Sequence, residues 1–147
     1  MGGVKVGPLE KLYYVSVVVA NDMKHIHTHA IGKKFDRIHS MCMEYYDKVL
    51  EDADTFVELA IEYDESVCNA SYAQSVLNYK PTNQTGYSWG EACSVVSNCM
   101  QYYIDAMEHA LTLGLDGDVN NLIEEYLRYW KKERNYKLKK RMELEYE

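Results

Sequence analysis

Four of the five histidines in this 147-residue chain, His25, His27, His29 and His39, fall within fifteen residues, and only His109 lies apart. Immediately downstream runs a line of carboxylates: Glu44, Asp47, Glu51, Asp54, Glu58, Glu62 and Glu65. Their steps of three and four set them along one side of a helix. Imidazole nitrogens beside carboxylate oxygens form a donor set that suits iron or another first-row metal. Most acidic runs are solvated faces, and that reading suffices for most of these seven. Asp54 and Glu58 differ. At roughly 100° per residue, His39 shares an apolar arc with Met43, Tyr46, Leu50 and Val57, while Asp54 lies about 60° round from it and Glu58 about 100°. Carboxylates at the edge of an apolar seam cost desolvation energy unless they are paired or bind a cation.

Helix geometry constrains how such a site is built. His39 and Asp54 are fifteen residues apart, about 22 Å along a helix axis, so one chain cannot close both on one ion. Two copies of the helix packed antiparallel, crossing near Tyr46 and Asp47, would set His39 of one against Asp54 of the other, and a two-fold axis does this twice. Bundles that hold a di-iron centre within one chain carry paired Glu-x-x-His motifs. None occurs here; Asp22-x-x-His25 and Asp36-x-x-His39 come nearest. The spacing therefore predicts metal sites shared between subunits.

The elements that must position these groups are helical. Only Pro8 and Pro81 interrupt the chain, which favours long helices over many strands. From Leu9 to Ala30 two signals compete. The run Tyr13 to Val19 has strand propensity, whereas Leu9, Leu12, Ser16, Val19, Met23, Ile26 and Ala30 recur at helical spacing. Beyond Gly32, Lys33 to Glu65 contains neither Gly nor Pro. There Phe35, Ile38, Cys42, Tyr45, Val49, Ala53, Phe56 and Ala60 form the stripe of a long amphipathic helix. Asn69 to Gly86 has room for one short helix. Tyr87 to Leu113 is helical with Gly114 as its stop, and Asp118 is the expected N-cap of a last helix running to about Arg141. One all-α domain over residues 1–147 results: a four-helix bundle with a short extra helix in its middle crossover.

Composition bounds the rest. Hydrophobic residues are 47% and charged ones 27%, with 16 basic against 23 acidic side chains and a net charge of −7. That is a globular balance, and it argues against wholesale wrapping of nucleic acid. No stretch approaches the ~20 apolar residues of a bilayer span. The start, MGGVKVGPLE, lacks the apolar region of a secretory signal. Cys42, Cys68, Cys93 and Cys99 show no C-x-x-C spacing and read as free thiols of a cytoplasmic protein. Fourteen tyrosines against two phenylalanines suit subunit packing.

The run His27-Thr28-His29-Ala30-Ile31-Gly32-Lys33-Lys34-Phe35-Asp36-Arg37-Ile38-His39, followed by Asp54 and Glu58, resembles the Dps proteins, the small DNA-protecting ferritins of starved bacteria. Their pattern is H-x(4)-G-x(2)-F-x(3)-H, then D-x(3)-E beginning fifteen residues after the second histidine, and every spacing is met. The resemblance implies a ferritin-like four-helix bundle and a hollow dodecamer of tetrahedral symmetry. It places ferroxidase centres at the two-fold interfaces, His27 and His39 of one subunit facing Asp54 and Glu58 of its neighbour. Iron bound there as Fe²⁺ is expected to be oxidised, preferably by hydrogen peroxide, and stored as ferric mineral, protecting against oxidative stress.

There are departures. Thr28 and His29 stand where the family usually has Trp and then Asn, and Leu59 replaces an arginine beside the last ligand. Such neighbours of ligands tune affinity and activity by 10- to 100-fold. His25, His29 and Glu62 are further candidate ligands. The segment Lys131 to Arg141 holds seven basic residues in eleven. It reads first as a solvated helix end favoured by the dipole, and any DNA binding is expected to be weak and salt-sensitive. The rival reading is a catalytically weak shell acting as a scaffold or DNA-binding particle. The intact ligand spacing favours the ferroxidase; the altered Trp and Arg positions favour the rival.

Overall fold

Pro8, whose fixed φ suits the first turn of a helix, opens α1 (Pro8–Thr28) in the computed structural model, which describes residues 5–144. The helical spacing prevails over the strand propensity of Tyr13 to Val19 because α1 is covered on several sides. Leu12, Val15, Val19, Met23 and Ile26 enter the main core, while Tyr14 and Val18 pack against Ala73 in the crossover. A helix apolar nearly all round is a buried helix, and its β-branched residues lose their strand preference to that packing.

Gly32, at φ 92°, turns the chain in a left-handed conformation that a side chain disfavours. It leads into α2 (Phe35–Glu62), which packs along α1. Its buried face is Ile38, Cys42, Tyr45, Val49, Ala53, Phe56 and Ala60, as the spacing predicts, except that Phe35 lies outside the core at 42% exposure. The crossover carries a 3-10 turn (Ala70–Tyr72) and the short α3 (Ala73–Leu77), closed by Asn78 in the left-handed region at φ 52°. At the start of α4 (Trp89–Ala110), the Glu91 carboxylate reaches back to accept from Ser88 N–H at 3.4 Å and from the Ser88 hydroxyl at 2.9 Å, the Glu half of a capping box. After Gly114, α5 (Gly117–Lys132) follows, continued by a π-helical segment (Glu133–Leu138) and α6 (Lys139–Leu144).

The described residues are all-helical, with one isolated bridge between Ala30 and Tyr87. The N-cap of α5 is Asp116, not Asp118, which falls in its first turn. The Asp116 carboxylate accepts the Tyr63 hydroxyl at 2.9 Å instead of capping its own helix. No helix among the described residues is long and apolar enough to cross a membrane. The predicted free thiols are unpaired, with Cys42, Cys93 and Cys99 buried.

Candidate metal site

His27 sits in the last turn of α1 and His39 in the second turn of α2, and the turn at Gly32 folds them face to face. The bridge at Ala30 and Tyr87 holds that turn: Ile31 N–H donates to the Tyr87 carbonyl at 3.0 Å, and Tyr87 N–H donates to the His29 carbonyl at 2.9 Å. The rings of His27 and His39 stack with centroids 3.6 Å apart at 24°, and Phe35 stacks on His39 at 5.4 Å. His27 Nδ1 donates to the His39 carbonyl at 2.7 Å, and His39 Nδ1 donates to the His27 carbonyl at 3.1 Å. A carbonyl only accepts, so each Nδ1 carries a proton, and in the neutral form of either ring the lone pair is on Nε2. This is the tautomer in which histidines ligate metals through Nε2. Neither Nε2 has a hydrogen-bond partner among the described residues. The reciprocal pair and the stacked Phe35 were invisible in the linear spacing, which placed the two residues without orienting them.

His25 and His29 form a second stack, centroids 4.1 Å apart. His25 Nε2 donates to the Gln84 carbonyl at 2.9 Å, and His29 Nδ1 donates to the His25 carbonyl at 2.8 Å. Through Gln84, His25 ties α1 to the crossover. Asp22, one turn earlier, does the same by accepting from the Tyr79 hydroxyl at 2.5 Å and from Thr82 N–H at 3.2 Å. Thr28 turns its hydroxyl back to the Lys24 and His25 carbonyls, both at 3.1 Å.

Asp54 and Glu58 stand exposed on α2, one turn apart. Within one chain they do not join the histidines: no group of three or more His, Cys, Asp or Glu side chains among the described residues could hold a metal ion. Glu62, the last residue of α2, is also exposed. The apolar arc that His39 shares with Met43, Tyr46, Leu50 and Val57 is only partly covered by this chain, Tyr46 packing against the core. His39 and Leu50 are exposed, and Met43, Tyr46 and Val57 are half-buried. Phe35 and Ile61 extend that exposed stripe to both ends of α2. Burial pushes the Cys42 thiol up to about 12 and the Cys93 thiol up to about 11, so neither is a thiolate near neutral pH.

No protein-family model and no curated protein matches the chain. Its fold is similar to that of antigen TpF1 from Treponema pallidum (TM-score 0.78, 19% identity, covering 89% of this chain and 88% of that one). It is also similar to Helicobacter cinaedi CAIP (TM-score 0.76, 15% identity, covering 91% of this chain and 96% of that one). At such identities the likeness shows the fold alone. The Dps assignment suggested by the motif is therefore corrected: the matched structures establish an all-helical fold, and no sequence comparison supports that family. The six residues of the motif include four side chains that can donate to a metal, His27, His39, Asp54 and Glu58; they do not define a lineage.

Proposed function

We propose that this chain is the subunit of an iron-oxidising and iron-storing assembly whose metal sites form between copies. The observation that carries this is the His27–His39 pair, pinned through both Nδ1 atoms, with neither Nε2 engaged among the described residues. It stands on an exposed apolar stripe of α2 that leads to Asp54 and Glu58. A second α2 packed antiparallel on that stripe covers apolar surface, a favourable term of about 25 cal/mol per Å². It also supplies the carboxylates that one chain lacks at its histidines. Two neutral imidazoles and two carboxylates together carry two negative charges and suit Fe²⁺, the substrate.

In this reading hydrogen peroxide is the oxidant. Two Fe²⁺ give one electron each, the O–O bond breaks, and two protons are taken up to form two waters. The protein's part is to bind and orient. The reciprocal hydrogen bonds fix both rings, and the partner's carboxylates balance the higher charge of the ferric product. We read the long helices α1, α2, α4 and α5 as a ferritin-like four-helix bundle that closes into a hollow homo-oligomer, a dodecamer in tetrahedral symmetry. Four unpaired cysteines suit a reducing, cytoplasmic location.

The second reading, a scaffold or DNA-binding particle without oxidase activity, rests on the basic segment Lys131 to Arg141. Much of that segment is engaged by the chain itself. Lys131 pairs with Glu108 at 3.3 Å and Lys137 with Glu133 at 3.2 Å. Arg134 donates to the Ser97 carbonyl, and Arg141 donates to the Tyr45 hydroxyl. The ferroxidase reading is therefore preferred.

Size-exclusion chromatography with in-line mass and iron detection tests the choice, after Fe²⁺ loading and peroxide, beside a His39→Ala/Asp54→Ala control. Twelve chains of 17.1 kDa elute at about 205 kDa if tetrahedral closure holds. Iron co-eluting at many atoms per subunit, and far fewer in the control, is the expected result. An assembly holding no more iron than its control would overturn the oxidase reading.

A further inference from the structure

A groove of about 690 Å³ opens beside the first turn of α1, between α3 and the C-terminal half of α4. Lys11 on its wall is sixteen residues from His27, about 24 Å along the α1 axis, so the groove is separate from the histidine pair. Its volume falls within the range of small-molecule sites, which are concave and mostly apolar with a few placed polar groups. The floor and walls include Leu77, Tyr102 and Leu113, the last 48% exposed. Its cation-forming side chains agree on one ligand charge: among the described residues Lys5, Lys11 and His109 line it, and no carboxylate does. In a chain with 23 acidic and 16 basic residues, a wall of this composition is a local reversal of the protein's charge.

We propose that the groove binds an amphipathic carboxylate, an unbranched alkyl chain ending in a single negative charge. The alkyl tail lies on Leu77, Tyr102 and Leu113, where it covers apolar surface now facing water. The head meets the ammonium groups of Lys5 and Lys11, whose long stems follow the apolar wall while their charges stay at its rim. No arginine among the described residues lines the groove, so they offer no planar fork to hold a multivalent oxyanion bidentately, and a monovalent carboxylate matches the flexible point charges present. Tail and head are both required: the apolar wall selects against small anions, and the charge selects against a cationic amphiphile of equal length.

Isothermal titration calorimetry of the full chain tests this with three probes below their micellar concentrations: decanoate, decyltrimethylammonium and acetate. Decanoate is expected to bind once per chain, at least tenfold tighter than decyltrimethylammonium, with acetate showing no heat of binding. Lys11→Glu and Leu113→Asp, both at exposed positions, are expected to raise the decanoate Kd at least tenfold with unchanged helical circular dichroism. Equal affinity for the two decyl probes overturns the proposal whatever the variants do, and so does wild-type decanoate affinity in both variants. Absence of decanoate binding overturns it too. Decanoate that changes the mass of the assembly also overturns it, because the groove is then a contact between copies.

Discussion

The indole Nε1 of Trp130 donates to Asp52 Oδ2 at 2.8 Å, in an interior where neither residue has any exposed surface. The same oxygen accepts the Tyr103 hydroxyl at 2.8 Å, and Oδ1 pairs with Lys48 at 3.0 Å. One carboxylate on α2 thus satisfies buried donors from α4 and α5. Asp52→Ala strands an indole N–H and a phenol and is expected to lower unfolding free energy by about 3 kcal/mol or more. Asp52→Asn keeps an oxygen for Trp130 and Tyr103 and gives up only the Lys48 pair, so its loss is expected to be about half as large. Urea unfolding of both variants checks this; equal losses would mean that the ion pair, not the shared oxygen, carries the energy.

Gly7 is the N-cap of α1 and has no side chain to cap with. Glu65, just beyond α2, takes that role: its carboxylate accepts from Glu10 N–H at 2.8 Å and from Leu9 N–H at 3.4 Å. A Cβ on Gly7 would overlap that carboxylate. Gly7→Ala and Glu65→Ala are each expected to cost about 1 kcal/mol, the size of a lost N-cap. Because they remove the same interaction, the double variant should cost little more than either single one, and additive losses would sink this account.

If metal sites form between copies, damaged subunits complement each other. His39→Ala and Asp54→Ala chains should each be inactive as iron oxidases when assembled alone. In a mixed two-fold pair, one site loses both partners while the other keeps all of its own, so a one-to-one co-assembly recovers roughly a quarter of wild-type sites. Iron oxidation after mixed refolding measures this. No recovery from a mixture that demonstrably co-assembles would overturn the shared site.

Burial raises the Asp22 carboxyl above its ordinary 3.8, opposed by hydrogen bonds from Tyr79, Thr82 and Cys99 and by the charge of His25. The folded state therefore holds that proton more tightly than the unfolded one. This contribution to stability is fully present below 3.8 and is lost as pH rises through the raised folded value. Wild type should gain stability relative to Asp22→Asn as pH falls from 7 towards 4. Paired urea midpoints across that range read the difference, and a gain for wild type on raising the pH would contradict the assigned cause.

Local pattern was enough to define the helices after α1 and the inward face of α2. The apolar steps from Ile38 to Ala60 predict the buried side of α2, and Gly32 and Gly114 mark its neighbours' turns, because helix periodicity and glycine's access to positive φ are properties of a few adjacent residues. The same steps place His27, His39, Asp54 and Glu58 along the chain, but they do not orient a ring or choose a tautomer. That depends on carbonyls brought across the turn from α1 to α2. The strand-like run in α1 resolves into helix only because α2, α4 and the crossover cover it from several sides. The cap of α1 is equally non-local, since Gly7 and Glu65 are 58 residues apart and meet only once α2 has folded back. Spacing along a helix is written in neighbouring residues; which surfaces meet, and therefore which polar groups find partners, is decided by packing among segments that the linear order keeps apart.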